Sequence, residues 1–213
     1  MRILLIRHAS VAPLGHVLYG RTPGIHLNER GREEAQTLGH VLKQRYKLTA
    51  VVSSPMERAL ETARFIAEMQ GIELSIDEDL NELAFGSWMG KTFAELNVTD
   101  EWKSYNELRS ISSAPAGEFM MEVQARGWRS LARISERFQN ATDTVAVVSH
   151  GDVIRALLVL FLGMPLDYIH RLEVLPASFS EVVLESRHPR VINVNQVSNP
   201  TCGQFDEKRT HGD

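Results

Sequence analysis

Ile3-Leu4-Leu5-Ile6-Arg7-His8-Ala9 has a near twin far along the chain, Val145-Ala146-Val147-Val148-Ser149-His150-Gly151. Both are short, continuous apolar runs that close on a histidine. Continuous rather than alternating apolar residues mark strands buried on both faces, as in a parallel sheet covered by helices. Ala50-Val51-Val52 is a third such run, and it leads into Ser53-Ser54-Pro55-Met56-Glu57-Arg58-Ala59. With the three strands side by side, Arg7, His8, Arg58 and His150 meet beyond their carboxyl ends, where sheets of this kind bind ligands.

Helical patterns separate these runs. After Asn28, a good N-cap, Ala35, Leu38 and Leu42 recur at helical spacing. Ser54-Pro55-Met56-Glu57 reads as a capping box with proline at the first helical position. Ala59, Ala63, Ile66 and Ala67 then form a buried stripe. Another helix is predicted from about Asp152 to Leu162, closed by Gly163 and Pro165. Glu73 to Ile76 suits a short strand, and Phe179 to Leu184 with Val191 to Val194 suits an edge hairpin turning at Ser186-Arg187-His188-Pro189. The expected fold is α/β: a three-layer α/β/α sandwich with a mostly parallel central sheet and an antiparallel edge strand. One domain covers 1–199, and a polar tail follows over 200–213. Gly86 to Glu118 is the least regular part, a helical excursion followed by a loop. Its Trp88, Phe93, Trp102 and Tyr105 suit core packing, with a lid over the site as the alternative.

The 213 residues, 43% apolar and 23% charged, fit a single globular domain with a full core. A net charge of -4 gives no reason to expect nucleic acid or an anionic membrane as partner. The single cysteine, Cys202, excludes an internal disulfide and a thiolate cluster. Met1-Arg2 leads directly into a strand without a signal-peptide pattern, and Val153 to Leu162 is too short for a membrane span. A cytoplasmic protein is expected.

The chemistry follows from the residue types. A phosphate dianion held by side chains needs several cationic donors, and the planar fork of arginine suits it; Arg7 and Arg58 are the candidates. Imidazole can attack phosphorus near neutral pH. Two imidazoles permit one to act as nucleophile while the other stabilises the equatorial oxygens. Helix N-termini beyond the strands, at Gly151 among them, add backbone N–H groups. Asp79-Leu80-Asn81-Glu82-Leu83-Ala84-Phe85-Gly86 supplies Glu82, a carboxyl that burial beside the phosphate would keep protonated as an acid.

Taken together, Leu5-Ile6-Arg7-His8, Leu27 to Ala35, Ser54 to Ala63, Asn81-Glu82-Leu83 with Phe85-Gly86, and Val148-Ser149-His150-Gly151 resemble the histidine phosphatase superfamily, also called phosphoglycerate mutase-like. The likeness runs from near residue 1 to about 185. It implies a phosphatase in which His8 is transiently phosphorylated and water then hydrolyses the phosphohistidine. Arg7, Arg58 and His150 would clamp the phosphoryl group, and Glu82 would be proton donor and later base. It implies no metal and no cofactor. Two positions depart from the pattern: Ala9 stands where the family usually has glycine, and Met89 where phosphatases often carry glutamate in Trp-Glu-Gly. Both bear on substrate and rate more than on reaction type.

Within Pro13 to Leu27, Arg21 and Thr22 either border the substrate or belong to a structural turn, since Pro23-Gly24 is a strong turn signal. His40, His170, His188 and His211 are assigned to surface or packing. The expected partner is a small-molecule phosphoester, and a homodimer is compatible with the sequence. Two rivals remain, a phosphoglycerate mutase and a catalytically silent phospho-ligand binding module. A P-loop or dinucleotide fold lacks its glycine fingerprint.

Overall fold

The computed structural model describes residues 1–11, 16–185 and 189–198. Six strands form one sheet: β1 (Arg2–Arg7), β2 (Ala50–Ser53), β3 (Leu74–Ile76), β4 (Thr144–Ser149), β5 (Ser178–Val183) and β6 (Arg190–Val197). Their order across the sheet is β3-β2-β4-β1-β5-β6. The pairs β3–β2, β2–β4 and β4–β1 are parallel, whereas β5 runs antiparallel to β1 and β6 antiparallel to β5. The fold is the expected α/β sandwich.

Among the described residues six α-helices accompany the sheet: α1 (Glu29–Arg45), α2 (Glu57–Gln70), α3 (Phe93–Asn97), α4 (Asp100–Glu107), α5 (Met120–Arg137) and α6 (Gly151–Phe161). Side chains alternate across a strand, so the continuous apolar runs feed two cores at once. Ile3, Leu5, Val145 and Val147 pack with Val123 and Leu131 of α5 and Val153 and Leu157 of α6. Leu4, Ile6, Ala146 and Val148 face the opposite way, onto Leu38 and Leu42 of α1 and Ala63 and Ile66 of α2. Each fully buried Leu, Ile or Val contributes about 1.5–3 kcal/mol, which is why these strands carry no polar interruption. Among the described residues no helix is long and apolar enough to cross a membrane.

Helix α1 starts as the sequence reads: the Gly31 N–H donates to Asn28 Oδ1 at 2.7 Å. Gly31 also lies against the chain leaving β1, where an added Cβ would stand 1.9 Å from the Ser10 carbonyl oxygen. Only glycine permits that approach. Helix α2 requires a correction. It begins at Glu57, its N-cap is Met56, and no side chain caps it. Ser54 has no role in a capping box, because its hydroxyl lies against His150 and accepts the Met56 N–H instead.

The 18-residue helix α5 has no counterpart in the sequence reading. Its buried face includes Arg126, Gly127 and Ser130, small or polar residues that interrupt the apolar stripe. Between residues 86 and 118 the chain forms α3, α4 and turns, with Trp88, Trp102 and Tyr105 buried in the core. Trp88 meets Trp102 and Tyr105 edge-on at 5.2 and 5.1 Å. Packing in the core accounts for the burial of these aromatics. The hairpin positions Ser186, Arg187 and His188, and the tail with Cys202 and His211, lie outside the described residues.

Candidate active site

Register brings the two histidines together. Arg7 pairs with Ser149 across β1 and β4, and the His8 backbone N–H donates to the Ser149 carbonyl at 3.0 Å. Both imidazoles therefore leave adjacent parallel strands at one level, with ring centroids 5.3 Å apart and planes inclined by 59°. On the other side of β4, Ser53 pairs with Val148 and the Ser54 N–H donates to the Val148 carbonyl. That pairing sets Arg58, the second residue of α2, over the same edge.

The His8 ring is buried, and its Nδ1 lies 2.8 Å from the Ala9 carbonyl oxygen. A carbonyl oxygen can only accept, so Nδ1 carries the hydrogen and Nε2 presents its lone pair. Burial, then the charges of Arg58 and Arg7, hold the imidazole well below its ordinary pKa, so the ring is neutral. Ala9 is fully buried and keeps out of the positive-φ region. Its N–H donates to Thr62 Oγ1, whose hydroxyl donates to the Arg58 carbonyl. The methyl at the position where a glycine is usual is thus accommodated without backbone strain.

The His150 ring is completely buried, with Nε2 2.7 Å from Ser54 Oγ. Its Nδ1 has no hydrogen-bond partner among the described residues and stands 3.7 Å from Glu82 Oε2. Burial, followed by the charges of Arg58 and His8, holds this ring well below the ordinary histidine range too. Arg58 is 3% exposed; its Nη2 donates to the Gly20 carbonyl, while its buried Nη1 has no partner among the described residues. Arg7 Nη1 donates to the Val174 carbonyl at 2.7 Å. A Cβ on Gly151 would lie 3.5 Å from Arg7 Nε, which places the first residue of α6 against that guanidinium.

Glu82 completes the group. Its Oε1 accepts the Leu83 N–H at 2.8 Å. Burial first, then the nearby Asp152 carboxylate, raise its pKa to about 7 against the opposing pull of Arg58 and Arg7. Among the described residues no ion pair joins Glu82 to Arg58. The structure thus gathers His8, His150, Arg7, Arg58, Glu82 and Gly151. Arg21 stands behind Glu82, donating from Nε to the Glu82 carbonyl and from Nη2 to Glu118. Thr22 donates its hydroxyl to the Tyr19 carbonyl within the turn.

Several groups around the site escape sequence reading. Ser54 orients His150, and Asp152 sits in the first turn of α6. Burial pushes the Asp152 carboxyl up, but Arg109, Arg155 and His170 outweigh it and keep the group ionised. Arg126 of α5 reaches the Glu82 carbonyl. A signal for it exists: Arg126, Arg129 and Arg133 recur at helical spacing, and Arg129 and Arg133 meet Asp79 while Arg133 also meets Asp77. Chemically, neutral imidazoles beside the Arg58 guanidinium, whose Nη1 has no acceptor among the described residues, form a receptacle for a tetrahedral oxyanion.

A family model described as the histidine phosphatase superfamily (branch 1) matches residues 3–197. A bifunctional protein of Mycobacterium tuberculosis is 35% identical over 180 residues, covering 84% of this chain and 49% of that protein. The chain therefore spans about half the length of this curated relative. The adenosylcobalamin/alpha-ribazole phosphatase of Escherichia coli is 29% identical over 197 residues, 91% of this chain and 96% of that one. The solved structure of a mycobacterial glucosyl-3-phosphoglycerate phosphatase superposes with a TM-score of 0.82 at 26% identity, covering 91% of this chain and 98% of that one.

Proposed function

Because the chain belongs to the histidine phosphatase superfamily, we propose that it is a metal-independent phosphatase of small phosphomonoesters that works through a phosphohistidine on His8. The observation that carries this reading is the pair of buried donors, Arg58 Nη1 and His150 Nδ1, left without an acceptor among the described residues beside the neutral ring of His8. Buried polar groups in proteins are nearly always paired, so a ligand is the natural acceptor.

In the first step His8 Nε2 donates its lone pair to phosphorus and the ester P–O bond breaks. The departing oxygen takes the proton of the Glu82 carboxyl. Arg7, Arg58, His150 and the Gly151 N–H hold the three remaining phosphoryl oxygens as charge spreads onto them. In the second step the Glu82 carboxylate removes a proton from water, the new P–O bond forms and the P–N bond breaks. Inorganic phosphate leaves and both side chains are restored.

The test is a panel of phosphomonoesters assayed with and without a chelator, together with acid quenching to trap phosphate on His8. We expect release of inorganic phosphate that survives chelation and acid-labile label lost in His8→Ala. Undiminished turnover in a folded His8→Ala variant overturns the nucleophile. Interconversion of 3- and 2-phosphoglycerate without phosphate release overturns hydrolysis in favour of a mutase.

A further inference from the structure

Two segments distant in sequence converge on the backbone of one residue. Arg21, from the loop after β1, and Arg126, from α5, both donate to the Glu82 carbonyl, at 2.7 and 3.0 Å. Arg126 Nη1 also donates to the carbonyls of Asp79 and Asn81. Between the two guanidiniums lies Glu118. Its Oε2 accepts from Arg21 Nη2 at 2.7 Å, from Arg126 Nη2 at 3.2 Å and from the Ala84 N–H at 2.9 Å, and its Oε1 accepts from Arg126 Nε at 3.0 Å. Without that carboxylate two like charges would face each other over the same carbonyl.

We propose that Glu118, together with Arg21 and Arg126, is a positioning unit that keeps Glu82 aimed at the leaving oxygen and prevents it from collapsing onto Arg58. The inference rests on the reading of Glu82 as proton donor. An ionised Glu82 is drawn towards Arg58, which acts on it electrostatically yet forms no ion pair with it among the described residues. Such a pair would neutralise the phosphate-binding guanidinium and the acid together. Charge-assisted bonds to the Glu82 carbonyl fix its Cα, and the Leu83 N–H on Oε1 fixes the side-chain rotamer. The carboxyl is left with Oε2 facing the reaction centre, beside His150.

A merely structural salt bridge would lower all activities alike, whereas a misplaced acid matters most where the leaving group needs a proton. We therefore compare an alkyl phosphate with p-nitrophenyl phosphate, whose leaving group departs unprotonated. In Glu118→Gln, kcat/KM for the alkyl ester should fall by about tenfold or more and that for the nitrophenyl ester by less than about threefold. The basic limb of the pH profile should move down by about one pH unit as Glu82 approaches Arg58. Arg21→Met, at a partly exposed site, should shift both readouts in the same direction and decides the matter if Glu118→Gln does not fold. Equal losses on both esters with an unmoved basic limb, or no loss on either, overturn the positioning role. If Glu82→Gln itself fails to discriminate the two esters, the assignment of the proton donor falls first, and this inference with it.

Discussion

Ser54 Oγ lies 2.7 Å from His150 Nε2 across a separation of 96 residues, and the same oxygen accepts the Met56 N–H. The hydroxyl has one proton to give, and giving it to Nε2 leaves Nδ1 as the donor aimed into the site. Ser54→Ala removes this orientation and leaves a buried ring nitrogen unpaired. We expect a stability loss of about 1–2 kcal/mol and a fall in kcat/KM of about tenfold. Ser54→Thr, which keeps the hydroxyl, should recover most of the activity. Thermal melts and phosphatase kinetics on the two variants check this; unchanged kinetics in Ser54→Ala would remove the hydroxyl from the account.

Activity on alkyl phosphates should be lost on the alkaline side. Glu82 has its pKa raised to about 7, so the protonated acid declines above that pH. Its rate should fall by about tenfold for each further pH unit. No matching decline between pH 6 and 7 is expected on the acid side, because burial and the arginines keep His8 neutral there. The same shift carries a stability signature. A carboxyl raised from 4.5 to about 7 stabilises the fold below 4.5, and that contribution disappears as pH rises through 7. Glu82→Gln should erase the alkaline limb and raise Tm above pH 7. A limb that persists in the variant would assign it to another group.

Gly31→Ala should destabilise the protein although alanine is the better helix former. Propensity favours alanine by about 1 kcal/mol. The new Cβ, however, would stand 1.9 Å from the Ser10 carbonyl oxygen, and backbone cannot yield as a side chain does. Overpacking of this kind costs about 1–3 kcal/mol or more, so the net sign is unfavourable. Gly39→Ala in the same helix, with its nearest atom at 3.3 Å, should be milder. Denaturant melts of the two variants give the comparison, and equal stability would show that α1 can shift away from Ser10.

The sheet was readable because its strands are buried on both faces and say so as unbroken apolar runs, Ile3 to Ile6 and Val145 to Val148 above all. His8, His150, Arg7 and Arg58 were readable for a related reason: each stands at or just beyond a strand end, where chain position dictates spatial position. The start of α2 was misread because Ser54 resembles a cap in sequence, while its hydroxyl is claimed by a ring that only tertiary structure delivers. Helix α5 was hidden by Arg126, Gly127 and Ser130 at core-facing positions. Gly127 fits there because Leu157 of α6 fills the space beside it, at 3.3 Å from a notional Cβ. Glu118 looks like an ordinary surface charge, and although Arg126 belongs to an arginine row at helical spacing, nothing in that pattern announces a shared carbonyl.

The six register pairs from Arg2–Thr144 to Arg7–Ser149 hold the two imidazoles to a common frame regardless of what lies between them in the chain. Loops between Ala9 and Asp143 that carry none of the site residues or their partners can consequently be lengthened, trimmed or recoloured without altering the spacing of the two rings. The outer lining can thereby vary apart from the spacing of His8 and His150. A single chassis of this kind can be refitted for one ester after another while its engine stays untouched.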